Sequence, residues 1–237
     1  MKTCGKLIIS IVLAGMFGCE LSSDESGILV FSHNFDFSQS QDSWEVDFTD
    51  FPVGQDSLYA LKFAYTERPA NLGANQKSMM LSGNNYSDDL FMFMKRKITN
   101  LSPNTDYTLV FEVELASNAP KGAVGVGGAP GESVFLKAGA SGTEPKKVIE
   151  DNHYTLNIDK GNQASAGEIA VLLGDIAVPN DTKDYTLITR NNAGSSPFTA
   201  RSNSKGEMWL IVGTDSGFEG TTTVYYTKVN IVFSTSN

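Results

Sequence analysis

Through most of this chain, apolar and polar positions alternate with period two in short runs. Tyr107, Leu109, Phe111, Val113 and Leu115 share one parity, and Thr108, Val110, Glu112 and Glu114 share the other. That is the pattern of a strand with one buried face. Trp44, Val46 and Phe48 alternate in the same way with Glu45, Asp47 and Thr49. Further extended runs fall at 28–37, 59–65, 78–81, 90–98, 134–138, 154–158, 169–173, 208–212 and 224–233. Between them lie Gly, Asn, Asp, Ser and Pro, the residues of tight turns. No amphipathic helix, internal repeat or long biased linker interrupts the series, so the pattern predicts an all-β fold: one antiparallel β-sandwich over residues 28–237. In the last run Val224 and Tyr226 occupy even positions, whereas Val229, Ile231 and Phe233 occupy odd ones. A bulge near Thr227 and Lys228 is therefore predicted, because a one-residue slip would otherwise turn half of these side chains outward.

The first residues follow a different pattern. Lys2 and Lys6 precede an apolar run from Leu7 to Phe17 that stops at Gly18 and Cys19, too short for a comfortable membrane-spanning helix. Met16, Phe17, Gly18 and Cys19 resemble the lipobox of bacterial lipoprotein signals, with Met16 where that family usually carries Leu. The resemblance implies a signal peptide over 1–18, a signal helix in the leader, a diacylglycerol on the Cys19 thiol, and attachment to a membrane without crossing it. Acyl chains contribute roughly 0.8 kcal/mol per buried methylene, so several chains anchor firmly. An ordinary secretory peptide cleaved nearby is the alternative. Residues 20–27, Glu-Leu-Ser-Ser-Asp-Glu-Ser-Gly, read with Cys19 as an acylated, flexible tether. Glu20 is not the Asp that resembles an inner-membrane retention signal, and Asp24 and Glu25 resemble surface-export signals. The expected address is the cell envelope, at the outer membrane.

Composition narrows the classes. Cys4 and Cys19 are the only cysteines, so no disulfide is available once the leader is removed, and the roughly 219 residues left must be held by a hydrophobic core. The formal net charge of −9 at pH 7 includes Lys2 and Lys6 of the leader; without them the balance is two units more acidic. This disfavours nucleic acid as a partner, since that affinity comes chiefly from Lys and Arg neutralising phosphates. Neutral ligands and cations remain compatible.

The stretch Ile98, Leu101, Pro103, Asn104, Thr105, Tyr107, Leu109 and Phe111 resembles the strand entry of galactose-binding-like jelly rolls, including carbohydrate-binding modules of the family 4 and 9 type. Phe35, Asp36, Phe37, Asp42 and Trp44 resemble an early segment of the same fold, and Thr223 to Phe233 its closing strand. The resemblance implies a jelly-roll-like sandwich that binds carbohydrate. Thr227 and Lys228 stand where that family commonly has an Asp pair at its structural calcium site.

Candidate chemistry is sparse. Glu45, Asp47 and Asp50 are similar to the Glu-x-Asp-x-x-Glu motif of laminarinase and lichenase type retaining glycosidases, which would give Glu45 the nucleophile's place and Asp50 that of the acid/base. The plainer reading is an amphipathic strand with Glu45 and Asp47 facing water. Asp88 and Asp89, in an Asn- and Asp-rich loop, and Asp215 and Glu219, in a second acidic turn, offer oxygens to a structural calcium as cofactor. They are equally the residues of tight turns. Tyr86, Phe91, Phe93, Trp209, Phe218 and Tyr225 are the aromatic candidates for stacking on sugar faces, although core packing accounts for most such residues. His33 and His153 are too few and unpartnered for zinc. The Gly122–Gly131 segment carries Pro130 where a dinucleotide fingerprint needs Gly, and no nucleophile elbow appears.

These features predict an envelope-anchored lipoprotein whose sandwich binds carbohydrate or a related extracellular ligand without catalysis. A structural or assembly subunit bound to another envelope protein is one alternative. A glycosidase using Glu45 and Asp50 is the other.

Overall fold

The computed structural model describes residues 22–23, 28–73, 75–87, 89–179 and 184–235. The leader, Cys19, nearly all of the tether and Asp88 lie outside them.

In chain order, the first half gives β1 (Ser22–Ser23), β2 (Leu29–Asp36), β3 (Glu45–Thr49), β4 (Phe51–Pro52), β5 (Lys62–Glu67), β6 (Lys77–Asn84), β7 (Phe91–Ile98) and β8 (Asp106–Ser117). The second half gives β9 (Val134–Ser141), β10 (Lys147–Glu150), β11 (His153–Leu156), β12 (Ala170–Asp175), β13 (Thr186–Asn191), β14 (Phe198–Arg201), β15 (Met208–Ser216) and β16 (Thr221–Thr235). Among the described residues, helix is confined to one turn at Asp56–Tyr59 and a 3₁₀ turn at Ala70–Leu72. No described helix is long and apolar enough to cross a membrane.

The chain is an all-β antiparallel sandwich, as the alternation predicts. One sheet is organised by β16, which carries β8 on one edge and both β6 and β2 on the other. The second sheet has the order β12-β9-β15-β7-β3. Inward rows from both sheets merge into one core, including Tyr107, Leu109, Phe111, Val113 and Leu115 of β8 against Met92 and Met94 of β7 and Leu210 and Val212 of β15. The even residues of β8 from Asp106 to Glu114 stay partly or fully in water, so its period-two pattern is the pattern of burial.

The predicted slip in the closing strand is present. The register of β16 against β8 shifts between Tyr226 and Lys228, and Val224, Tyr226, Val229, Ile231 and Phe233 are all buried. Thr227 holds the extra residue in place, its Oγ1 donating to the Glu114 carbonyl at 3.0 Å or bonding the Glu114 carboxylate at 2.8 Å.

Five strands escape the sequence reading: the two-residue β1 and β4, and β10, β13 and β14. Both β13 and β14 are short and share the outer edge of β8. Each contributes only one or two apolar residues to the core, Ile188 from the first and Phe198 with Ala200 from the second. Their pairing is set by backbone hydrogen bonding to β8 rather than by a repeating apolar face.

Leu29 pairs with Thr235 at one end of the sandwich. The opposite end, where β15 turns into β16, gathers the loops at 84–90, 121–133 and 157–169.

Candidate functional site

The outer face of the second sheet is built by the other parity of the same strands. It carries Phe91, Phe93, Lys95 and Lys97 from β7, Trp209, Ile211, Gly213 and Asp215 from β15, and Lys137 from β9. The chain between β9 and β12 folds back over this face. Within it, β10 and β11 form a hairpin that pairs with β4, and a loop over 157–169 continues to β12. Leu156 and Ile169 from this cover pack on Phe91, Phe93 and Ile211, making a second small apolar cluster outside the main core. Gly213 is required here, since a Cβ would lie 2.6 Å from the Met92 carbonyl oxygen and 2.7 Å from the Phe93 Cβ.

Beside this cluster the cover buries charge. Lys160 Nζ lies 2.8 Å from Asp50 Oδ2 and 2.8 Å from Asp215 Oδ2. Lys137 Nζ lies 3.0 Å from the same Asp215 oxygen and donates to the carbonyls of Lys160 at 3.1 Å and Ser165 at 2.9 Å. The Gln163 N–H also donates to Asp215 Oδ2, at 2.9 Å. Asp89 completes the group, and one carboxylate oxygen from each of Asp50, Asp89 and Asp215 lies within 4.8 Å of the others.

Three carboxyls face two ammonium groups, which decides the protonation pattern. Burial pushes the Asp89 carboxyl up to about 9, helped by the charge of Asp215 and a hydrogen bond to it, so at neutral pH Asp89 is the protonated member. Asp215 is held below the usual carboxylate range: burial opposes its charge, but Lys160 and Lys137 outweigh it. Burial raises Asp50, opposed by Lys160. The Lys160 ammonium is held above its ordinary range, because Asp215 and Asp50 overcome the desolvation that would lower it. With Asp89 neutral, Asp50 and Asp215 face Lys137 and Lys160, and burial lowers Lys137 against the charge of Asp215. Pairing of opposite charges is the condition under which buried charge is tolerated.

The network forms the floor of a polar cleft of about 420 Å³. Asp50, Asp89 and Lys160 lie at its base, and Leu156, Asp159 and Asn162 stand among its walls. The wall loop is tightly wound. Gly161 has φ +71°, and a Cβ on Gly167 would meet the Gly161 nitrogen at 2.1 Å, so the two glycines lie back to back. The Asp159 carboxylate accepts the Gly161 N–H at 2.8 Å and the Glu168 N–H at 3.0 Å, and these bonds draw it below its usual range. The result is a concave surface carrying carboxyl and amide groups, able to donate and accept hydrogen bonds at once.

The sequence candidates are distributed unevenly over this frame. Asp89 and Asp215, singled out as cation ligands, do come together, and Asp50, singled out for catalysis, joins them. Glu219 does not: it lies beside the Gly-rich loop, its N–H bonded to the Val126 carbonyl. The loop after β6 is committed to structure, with buried Asn85 donating its amide to the Ser216 carbonyl at 2.8 Å. As a calcium site the cluster does not fit its own residues. A hard cation needs six to eight oxygens, whereas here two ammonium groups stand within 3.0 Å of the carboxylates.

The glycosidase pairing of Glu45 with Asp50 is corrected by the fold. Glu45 lies opposite Lys95 in the strand register, and Asp50 lies past the far end of β3 at φ +67°. The strand from Glu45 to Thr49 alone spans about 13 Å at the rise of extended chain, against the about 5 to 5.5 Å that retaining hydrolysis requires. Their partners differ as well, Lys95 for Glu45 and Lys160 for Asp50.

Among the aromatic candidates, Phe91 and Phe93 are buried beneath the cover and stack on each other at 5.1 Å. Phe218 is half-buried against Gly125 and Gly220. Tyr225 pairs edge-on with Tyr185 on the outer face of the first sheet. Trp209 is half-buried on the outer face of the second sheet, with Lys95 Nζ 5.1 Å and Lys97 Nζ 5.9 Å from its ring centroid. Tyr86, 59% exposed at the loop end, is the open ring of the set. Lys137, Lys160, Asp159 and Asn162 were missed by sequence reasoning. Lys137 sits at an outward parity, which in a strand reads as solvated, and only the fold-back of 142–169 buries it.

No protein-family model matches the chain, and no curated protein matches it. Solved structures with similarity include a mannan-recognising carbohydrate-binding module, TmCBM27, at 12% identity and TM-score 0.39, covering 86% of this chain and 96% of that one. TmCBM61, solved with β-1,4-galactotriose, gives 8% identity and TM-score 0.36 over 85% and 94%. The K3 cleaved adhesin domain of Lys-gingipain from Porphyromonas gingivalis gives 12% identity and TM-score 0.37 over 85% and 98%.

Proposed function

We propose that this protein is a non-catalytic binding domain that captures a neutral carbohydrate in the cleft over Asp50, Asp89 and Lys160, and that an acylated Cys19 carries it on the cell envelope, at the outer membrane. The observation behind the first part is the cleft itself: a preformed concavity whose polar groups include donors and acceptors in fixed positions. Hydroxyl-rich ligands need that mixture, since every sugar hydroxyl both donates and accepts. The acidic net charge of the chain argues for a neutral ligand over a polyanion. The carboxyls at the base are tied to lysines or to one another, which suits positioning better than proton transfer. The anchoring part rests on the lipobox-like Met16–Cys19, and the cleft lies at the end of the sandwich away from Leu29, where the tether joins.

The test is a glycan array with the protein from Glu20 onward, followed by titration of any hit. Binding to a neutral glycan should weaken about five- to tenfold in Asn162→Ala, the loss of one hydrogen bond to ligand, and should be unchanged in Glu45→Gln. Metabolic labelling with a radiolabelled fatty acid, lost in Cys19→Ala, tests the anchor. The assembly reading is favoured by one observation: β10 pairs with β11 on one edge only and leaves Val148 and Ile149 exposed. Silence across diverse glycans, together with loss of an envelope complex on Ile149→Lys, would replace the first reading with this one.

A further inference from the structure

We propose that Lys160 serves as an internal cation: its ammonium takes the place of a divalent ion among the carboxylates of the cleft floor, and so fixes the 157–169 loop without any metal. The inference does not depend on what the cleft binds.

The coordination of the ammonium carries it. Lys160 Nζ meets Asp50 Oδ2 at 2.8 Å, Asp215 Oδ2 at 2.8 Å and the Gly161 carbonyl at 3.1 Å, so three N–H groups face three oxygens. The fourth side is closed by the Phe91 ring, whose centroid is 4.8 Å away. Those oxygens come from separate pieces of chain, one after β3, one at the end of β15 and one in the wall loop. Joining distant oxygens through one positive centre is what a structural calcium does in loop-rich sites. Lys137 supplies the second point of attachment, running from the sheet to the carbonyls of Lys160 and Ser165 in the same loop. Both side chains are nearly inaccessible, at 7% and 1% exposure. Burial of two ammonium groups is unfavourable against an apolar filling of the same volume, so their retention is explained by where they hold the loop.

Two consequences distinguish an internal cation from a cluster of incidental ion pairs. The protein should be indifferent to calcium and to chelator, and removing the ammonium while keeping the side-chain bulk should create a calcium response that was absent before. Thermal melting of the protein and of Lys160→Met, each with chelator and with millimolar calcium, reads both. The unaltered protein should shift by less than about 1 °C between the two conditions. Lys160→Met should melt about 10 °C lower, the scale for breaking a buried pair in a chain of this size, and calcium should restore about 5 °C. Three results would overturn the proposal: stabilisation of the unaltered protein by calcium, a variant that melts within about 2 °C of it, or a low-melting variant that ignores calcium. Should the variant fail to fold, nitrogen-15 spectra of the unaltered protein decide: a slowly exchanging Lys160 ammonium resonance is expected, and rapid exchange with water overturns the idea.

Discussion

Asp89 sits in an environment far from water, and burial raises its carboxyl well above the usual range. Its folded-state value, about 9, lies above the unfolded carboxyl range, so between those limits the folded protein holds a proton that the unfolded chain has released. Stability from this group is therefore complete at acid pH and falls as pH rises toward 9, by at most about 1.4 kcal/mol per pH unit. His33 acts in the opposite direction below its ordinary value, because burial and Arg96 lower it and the folded state resists its protonation. Comparison with Asp89→Asn removes that background. The amide can donate to Asp215 as the acid does, and it does not titrate. Denaturant unfolding at pH 6 and pH 8.5 should show a smaller loss for the variant than for the parent, and parallel losses would contradict the protonation pattern. None of this was legible in Asp89 itself, which in sequence is one more acid in a turn. Its value is set by burial and then by Asp215, 126 positions later in the chain.

At the scale of elements, the closing strand shows how much a local pattern can decide. Parity changes between Tyr226 and Val229, and the bulge appears between Tyr226 and Lys228 because both halves must face the same core. Deleting Thr227 should restore a regular ladder at the expense of turning Val229, Ile231 and Phe233 toward water. At about 2 kcal/mol per large apolar residue exposed, three cost about 6 kcal/mol, a large share of the roughly 5–15 kcal/mol that holds a domain, so the expected result is a melting transition lowered by at least about 12 °C by circular dichroism. A transition at the parent's temperature would mean that the strand slips or re-bulges elsewhere. The strands β13 and β14 make the contrary case: with one or two core residues each, they are too short for a period to be read, and pairing with β8 gives them a place.

Across the whole molecule, two apolar clusters of unequal size imply unequal local stability. The main core joins both sheets, whereas the outer cluster is Phe91, Phe93 and Ile211 beneath Leu156 and Ile169. The 142–169 cover should open before the sandwich does. Hydrogen exchange should show amides of β10 and β11 exchanging at least tenfold faster than those of β8 and β16, while equal protection would indicate one cooperative unit. The same comparison separates what each level of description can reach. Period two, turn residues and the parity slip in 224–233 determine an antiparallel sandwich and even its bulge, since burial of alternate side chains is a local demand that each strand states in its own residues. The lipobox-like Met16–Cys19 and the charge balance are likewise properties of the sequence alone. The cleft is not, because Asp50, Asp89, Lys137, Lys160 and Asp215 stand on five separate segments, and nothing within any one of them specifies the other four. Only the fold-back of 142–169 over the outer sheet face takes these charges out of water, and removal from water is what turns ordinary surface acids and lysines into a fixed network.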